Sequence, residues 1–263
     1  MKALLPLLIV VCSVSIMFAK VTGKAVEYKS GDLALKGYLA YDTAVKGKRP
    51  GILVVHEWWG HNEHARKRAE MLAKLGYIAL AVDMYGNGKT ASHPEDAGKF
   101  SSEVMKNMPE AKARFVAAMD FLKAQEMTDA DRIGAIGFCF GGGVVLNMAR
   151  QGLDLKGVVS FHGSLAAAEP AEKGAIKAKI LVCNGADDKF TTQEAIDKFK
   201  EEMESAGADF RFINYPGAMH SFTNPASTAL GKKFNLPLAY NKEADEHSWA
   251  DMTDFFRKVF GGM

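Results

Sequence analysis

At 263 residues, 48% hydrophobic and 24% charged, the chain has an ordinary globular composition and room for one substantial α/β core without disulfide or metal staples. Its formal net charge of +2, from 33 basic and 31 acidic residues, argues against nucleic-acid or membrane-surface binding driven by charge. No internal repeat or low-complexity segment is visible.

The N-terminus differs from the rest. Lys2 precedes an uncharged stretch, residues 3–19, rich in Leu, Val and Ile, and small and polar residues follow at 20–25. A positive start, a short apolar core and a small-residue exit describe a secretory signal peptide, and the mature chain is then periplasmic or secreted. The competing reading, a transmembrane anchor, needs about 20 apolar residues; Pro6 and the short run favour the signal. Cys12 follows Val11 rather than a small residue, unlike a lipoprotein signal. Ala19, Gly23 and Ala25 all offer cleavage positions, and residues 1–23 are taken as the signal and 24–263 as a single domain. Removing 1–23 takes away Lys2 and Lys20 and leaves 31 basic against 31 acidic residues, a neutral mature chain with no stable membrane association.

Residues 26–29 and 33–41 read as two strands around the Ser30-Gly31-Asp32 turn. Residues 51–55 form a continuous apolar run, as a central parallel strand requires. Helical spacing at 63–75 ends at Gly76, and 77–82 is the next strand. Helical stretches broken near Pro109 follow, with 111–125 the strongest. Strands at 132–136, 157–161, 180–183 and 210–215 alternate with helices at 144–148 and 192–206, and a long loop leads to a last helix at 244–260. This alternation predicts one mostly parallel, doubly wound sheet with helices on both faces and no large cap domain.

Ligands of such a sheet bind beyond the carboxyl ends of its strands. Gly137-Phe138-Cys139-Phe140-Gly141 has the form small-x-nucleophile-x-small of a nucleophile elbow, where a strained turn demands small residues two positions either side. The helix that follows supplies free N–H groups and partial positive charge, which favour a thiolate and a developing oxyanion. Glu57, Asp188 and His220 also fall at strand ends, and the order nucleophile, acid, histidine is that of α/β-hydrolases. A thiol needs a base to hold it as thiolate, and the histidine needs a carboxylate to fix its tautomer. Cys139 and Cys183 follow strands with another strand between them in sequence; as sheet neighbours they lie roughly 9–10 Å apart, two strand spacings. That exceeds the roughly 7 Å limit of a bridge, so free thiols are expected.

The elbow Gly-Phe-Cys-Phe-Gly-Gly, the loop His56-Glu57-Trp58-Trp59-Gly60, the turn Gly185-Ala186-Asp187-Asp188 and the segment Ala218-Met219-His220-Ser221-Phe222 together resemble the dienelactone hydrolase family, over essentially the whole mature chain. The resemblance implies an α/β-hydrolase fold and an ester hydrolase of carboxymethylenebutenolidase type, needing no cofactor. It implies a Cys139-His220-Asp188 triad, with Asp188 rather than Asp187 as the acid that closes Gly-x-x-Asp. It also implies that Glu57 interacts with the thiol, and that the N–H groups of Trp58 and Phe140 form the oxyanion hole. Members that grip the carboxylate of dienelactone use arginines, and the matching positions here are the neutral Asn87 and Asn224. That points away from dienelactone and toward a neutral ester, another lactone or a thioester.

Other residues carry weaker signals. His56-Glu57-Trp58-Trp59-Gly60-His61 is one residue off the zinc motif H-E-x-x-H and follows a strand rather than lying on a helix, so no metal site is expected. His61, His64 and His93 read as solvated, and His162 as either a pocket residue or a structural hydrogen-bonder. Trp58, Trp59, Tyr85 and Phe222 read as a pocket wall, with core packing as the alternative. Cys183 reads as core. A small-molecule ester or lactone is the expected partner of a monomeric enzyme; thioesterase or acyltransferase activity, and a non-catalytic thiol-sensing or binding protein, are the competing readings.

Overall fold

The computed structural model describes residues 20–261. The signal-peptide expectation for 1–23 falls largely outside them; of the three cleavage positions, Ala19 lies outside, while Gly23 and Ala25 lie within the first strand. That strand, β1 (Val21–Ser30), pairs antiparallel with β2 (Leu33–Asp42) along its whole length. Then come β3 (Arg49–Val55), α1 (Glu63–Lys74), β4 (Ile78–Val82), α2 (Pro94–Lys106), α3 (Met108–Lys123), β5 (Thr128–Phe138), α4 (Phe140–Arg150) and β6 (Gly157–Phe161). The chain continues through β7 (Lys179–Gly185), α5 (Gln193–Ala206), β8 (Phe210–Tyr215), α6 (Ser227–Phe234) and α7 (Lys242–Phe260).

All eight strands form one sheet in the order β1-β2-β4-β3-β5-β6-β7-β8, parallel from β4 to β8. Alternate side chains of each central strand enter opposite cores. Leu53 and Val55 join Phe115, Val144 and Phe199 under α3, α4 and α5, whereas Ile52 and Val54 join Leu72, Met252 and Phe256 under α1 and α7. Among the described residues no cap domain stands over the sheet. The long β8–α7 connection holds only the eight-residue α6.

Local chemistry sets the boundaries. Asn62, Thr192 and Asn241 accept backbone N–H groups at the starts of α1, α5 and α7, and Gly207 and Gly261 end α5 and α7 with positive φ. Pro109 lies in the first turn of α3, where its missing N–H costs nothing, so the expected break is the α2–α3 junction. Three elements differ most from the sequence expectation, and the first is β1, which starts at Val21 rather than residue 26 and pairs with β2 throughout. The strand expected at 132–136 begins at Thr128, because β5 shifts register opposite Pro50 and Gly51 and carries the polar Asp129 and Asp131 outside the apolar run. Helix α6 has no side-chain cap hydrogen bond, so nothing local announces its start.

Phe256 packs against β5 and β6: a Cβ on Gly134 would come within 2.7 Å of its ring, and one on Gly157 within 3.2 Å. It is fully buried and stacks on Phe260. Phe256→Ala should cost about 3–5 kcal/mol in urea unfolding, the range for emptying a buried aromatic site. Among the described residues Cys139 and Cys183 are free, with β6 between β5, which Cys139 follows, and β7, which carries Cys183.

Candidate active site

The turn between β5 and α4 is tight enough to dictate its own sequence. Cys139 is held at φ 52°, ψ −114°, a conformation rare for a side-chain-bearing residue. A Cβ on Gly137 would lie 2.1 Å from the Gly141 carbonyl oxygen, and one on Gly141 would lie 2.4 Å from the Val55 carbonyl oxygen. Glycine is required at both. The Cys139 N–H donates to the Phe161 carbonyl at 3.0 Å and to His162 Nδ1 at 3.1 Å, which pins the elbow to the end of β6.

The β7 and β8 ends meet because Gly185 has no side chain; a Cβ there would strike the Ala218 carbonyl at 2.4 Å. The Asp187 N–H donates to that carbonyl, which draws the turn carrying Asp188 beside the segment carrying His220. His220 Nδ1 donates to Asp188 Oδ2 at 2.7 Å, and His220 Nε2 lies 3.1 Å from Cys139 Sγ. Asp188 is fixed in turn by the Phe190 N–H on its Oδ1 at 2.8 Å. The structure thus brings Cys139, His220 and Asp188 into one hydrogen-bonded chain.

This chain opens on a cavity of about 500 Å3. Its apolar wall comes from Trp58, Met105, Phe140, Leu165, Phe190, Leu236 and Leu238, with Ser101, Ser102, Ser164, Thr191 and Ser221 as the uncharged polar groups. Among the described residues, Glu57, Cys139 and His220 are the titratable side chains in it, and no lysine or arginine lines it. Among the described residues, the N–H groups of Trp58 and Phe140, both in the cavity wall, have no backbone acceptor.

Residues 35–260 match the model of the dienelactone hydrolase family. The chain belongs to the dienelactone hydrolase family. Membership makes it a hydrolase acting on ester bonds. The Aquifex pyrophilus protein usf is 31% identical over 232 residues, covering 84% of this chain and 98% of its own. A Methylorubrum extorquens protein, provisionally named a carboxymethylenebutenolidase, is 31% identical over 81% of this chain and 73% of its own. Among solved structures, a dienelactone hydrolase-like promiscuous phosphotriesterase from metagenomic libraries aligns with TM-score 0.86 at 33% identity, over 92% of this chain and 99% of that one.

Electrostatics in this dienelactone hydrolase family member centre on His220. Burial alone drives its imidazolium pKa down, but the Cys139 thiolate and the Asp188 carboxylate outweigh that and hold it at about 10. Glu57 is buried in the cavity wall, yet the thiol's partner is His220. Glu57 Oε1 accepts from the Ser221 hydroxyl, and Oε2 accepts from Asn224 Nδ2 at 2.5 Å and faces His64 Nδ1 at 3.6 Å. Arg68 Nε donates to His64 Nε2, which leaves the His64 proton on Nδ1, toward Glu57; Arg68 itself pairs with Asp245 at 2.6 Å.

None of the five expected substrate contacts lines this cavity. Asn224 turns inward onto Glu57. Asn87 is exposed on a turn whose Gly86 and Gly88 N–H groups are gathered by Asp83. Tyr85 is buried, and its hydroxyl donates to the Trp58 carbonyl at 2.9 Å, so it braces the loop rather than the ligand. Trp59 packs between Trp58 and Phe234, and Phe222 is fully buried against His162 and Tyr215.

The histidines also divide differently from the expectation. His93 is an exposed cap, but His61 is buried and His64 nearly so, and the loss of solvent lowers both to about 4 and keeps them neutral. His162 is fully buried and well below its ordinary value; it accepts the Cys139 N–H at Nδ1 and donates from Nε2 to Thr223 at 2.8 Å. His56 uses both nitrogens on the backbone, donating to the Glu57 carbonyl and accepting from Met84 N–H, so it does not converge with His61 on a shared ligand. Sequence reasoning missed Ser221, Thr223, His64 and the α2 residues Ser101, Ser102 and Met105. Only Ser221, next to His220, had any positional signal.

Proposed function

We propose that this family member hydrolyses uncharged esters or lactones through an acyl-cysteine on Cys139. The observation that carries this reading is the Cys139–His220–Asp188 hydrogen-bond chain at the mouth of a cavity without lysine or arginine. A carboxylate on the substrate would enter a largely apolar space in which the His220 imidazolium is already balanced by the Cys139 thiolate and Asp188, and where Glu57 supplies a group of the wrong sign. Neutral substrates are therefore preferred.

The Cys139 thiolate attacks the ester carbonyl carbon, forming the C–S bond and moving the carbonyl π pair onto oxygen. The N–H groups of Trp58 and Phe140 receive that oxyanion, each donor being worth about 3 kcal/mol in a comparable site. Collapse breaks the C–O bond, and the departing alkoxide takes the proton from His220 Nε2. In a lactone this opens the ring and both halves stay on one acyl chain. Water then gives its proton to His220 and its oxygen to the thioester carbon, and C–S cleavage restores the thiolate. Asp188 stabilises the imidazolium of both half-reactions.

The N-terminal segment acts as an export signal, on the strength of Lys2 and the apolar run behind it; of the three cleavage positions, Ala19 leaves β1 whole, and the mature enzyme works as a periplasmic or secreted monomer. A panel of neutral aryl esters, lactones and thioesters tests the chemistry when quenched in the pre-steady state and examined by intact mass. An added mass equal to the acyl group, mapped to the peptide holding Cys139, is the expected result. Turnover with no acyl adduct on any substrate of the panel would overturn the covalent route.

A further inference from the structure

We propose that the apolar patch flanking His220, formed by Phe190 and Leu238, is the subsite for the alcohol part of the ester, and that Phe190 selects esters of apolar alcohols. This rests on the acyl-cysteine reading above. Phe190 is 58% exposed and, with Val45, one of two exposed large hydrophobic residues among those described. It is not loose: its N–H is bonded to Asp188, and its ring makes a T-shaped contact with the His220 ring, with centroids 4.9 Å apart. On the backbone side of the histidine, a β-bridge joins His220 to Leu238, and the Ala239 N–H donates to the His220 carbonyl. Both side chains line the cavity, beside Thr191 and Leu236.

The chemistry separates the two ends of a substrate. The carbonyl oxygen is directed at the Trp58 and Phe140 amides, whereas the departing oxygen must come within hydrogen-bond reach of His220 Nε2 to be protonated. The first carbons of the alcohol then lie against the groups that flank His220, which are Phe190 and Leu238. An alkyl or aryl alcohol covers the exposed Phe190 ring and removes that apolar surface from water, while a methyl group leaves it wet.

Two ester series distinguish the ends. Methyl, butyl and hexyl acetate vary the alcohol at constant acyl group; p-nitrophenyl acetate, butanoate and hexanoate vary the acyl group at constant alcohol. Wild-type kcat/KM should rise along the alcohol series. Phe190→Ala should lose roughly tenfold on hexyl acetate and under threefold on methyl acetate, with Phe190→Leu recovering most of the loss. Along the acyl series the same variant should fall by one common factor. Because every acetate gives the same acetyl-enzyme, a deacylation-limited kcat stays equal across the alcohol series and the loss appears in kcat/KM. A chain-length effect of Phe190→Ala confined to the acyl series, or an equal fall on every ester of both series, would overturn the assignment. Cys139→Ala run in parallel keeps the two ideas apart: undiminished turnover there defeats the acyl-cysteine reading itself, whatever Phe190 does.

Discussion

Cys139→Ala is expected to lower kcat/KM for an aryl ester by at least roughly ten-thousandfold, about 5.5 kcal/mol of transition-state stabilisation. The size follows from what is removed: without Sγ no C–S bond forms, and His220 is left facing an empty position 3.1 Å away. The fold should survive. Alanine keeps the Cβ, so the backbone strain at φ 52° is unchanged, and the elbow's hydrogen bonds to Phe161 and His162 come from the main chain. Initial rates together with urea unfolding check both halves. Rates within tenfold of wild type, with the unfolding midpoint preserved, would rule out Cys139 as the nucleophile. The variant also loses the thiolate charge that holds up His220, so its imidazole resonances should titrate at lower pH than in the wild type.

Asp188→Asn is expected to cost on the order of a thousandfold or more in kcat/KM, by losing the carboxylate that orients His220 and balances its charge. Its pH dependence is the sharper readout. His220 must carry a proton to release a poor alcohol, and with its pKa at about 10 the wild-type rate on an alkyl ester should hold through neutral pH and fall only above about pH 10. Removing Asp188 leaves the lowering effect of burial less opposed, so the alkaline fall should move to lower pH. An alkaline limb that stays in place in the variant would mean that the Asp188 contact at 2.7 Å does not tune His220.

The central strands were legible because each is an apolar run with turn residues at its ends; β6 falls on the residues expected, and so does the alternating edge strand β8. The elbow was equally legible, since its steric demand is local and shows as glycines two positions either side of Cys139. Asp188 and His220 were readable from their positions after β7 and β8. The substrate wall was not. Asn224 and Tyr85 occupy positions associated with ligand contact or pocket lining, but each side chain finds a protein partner first, Glu57 for one and the Trp58 carbonyl for the other. A buried carboxylate must be satisfied, and Asn224, 167 residues away in the chain, does so together with Ser221.

By itself the sequence determined the elbow, the order of the reactive residues and the alternation of strands and helices, all consequences of steric and hydrophobic rules acting within a few residues. Only the tertiary structure decided that the thiol pairs with His220, 81 residues on, while Glu57 is occupied by Ser221 and Asn224. It alone decided that α2, the segment after β6, the start of α5 and the loop after α6 close the cavity, and that Phe190 stands exposed beside the histidine. Those outcomes depend on which loops meet at the strand ends, and that is fixed by packing between distant segments rather than by any local pattern.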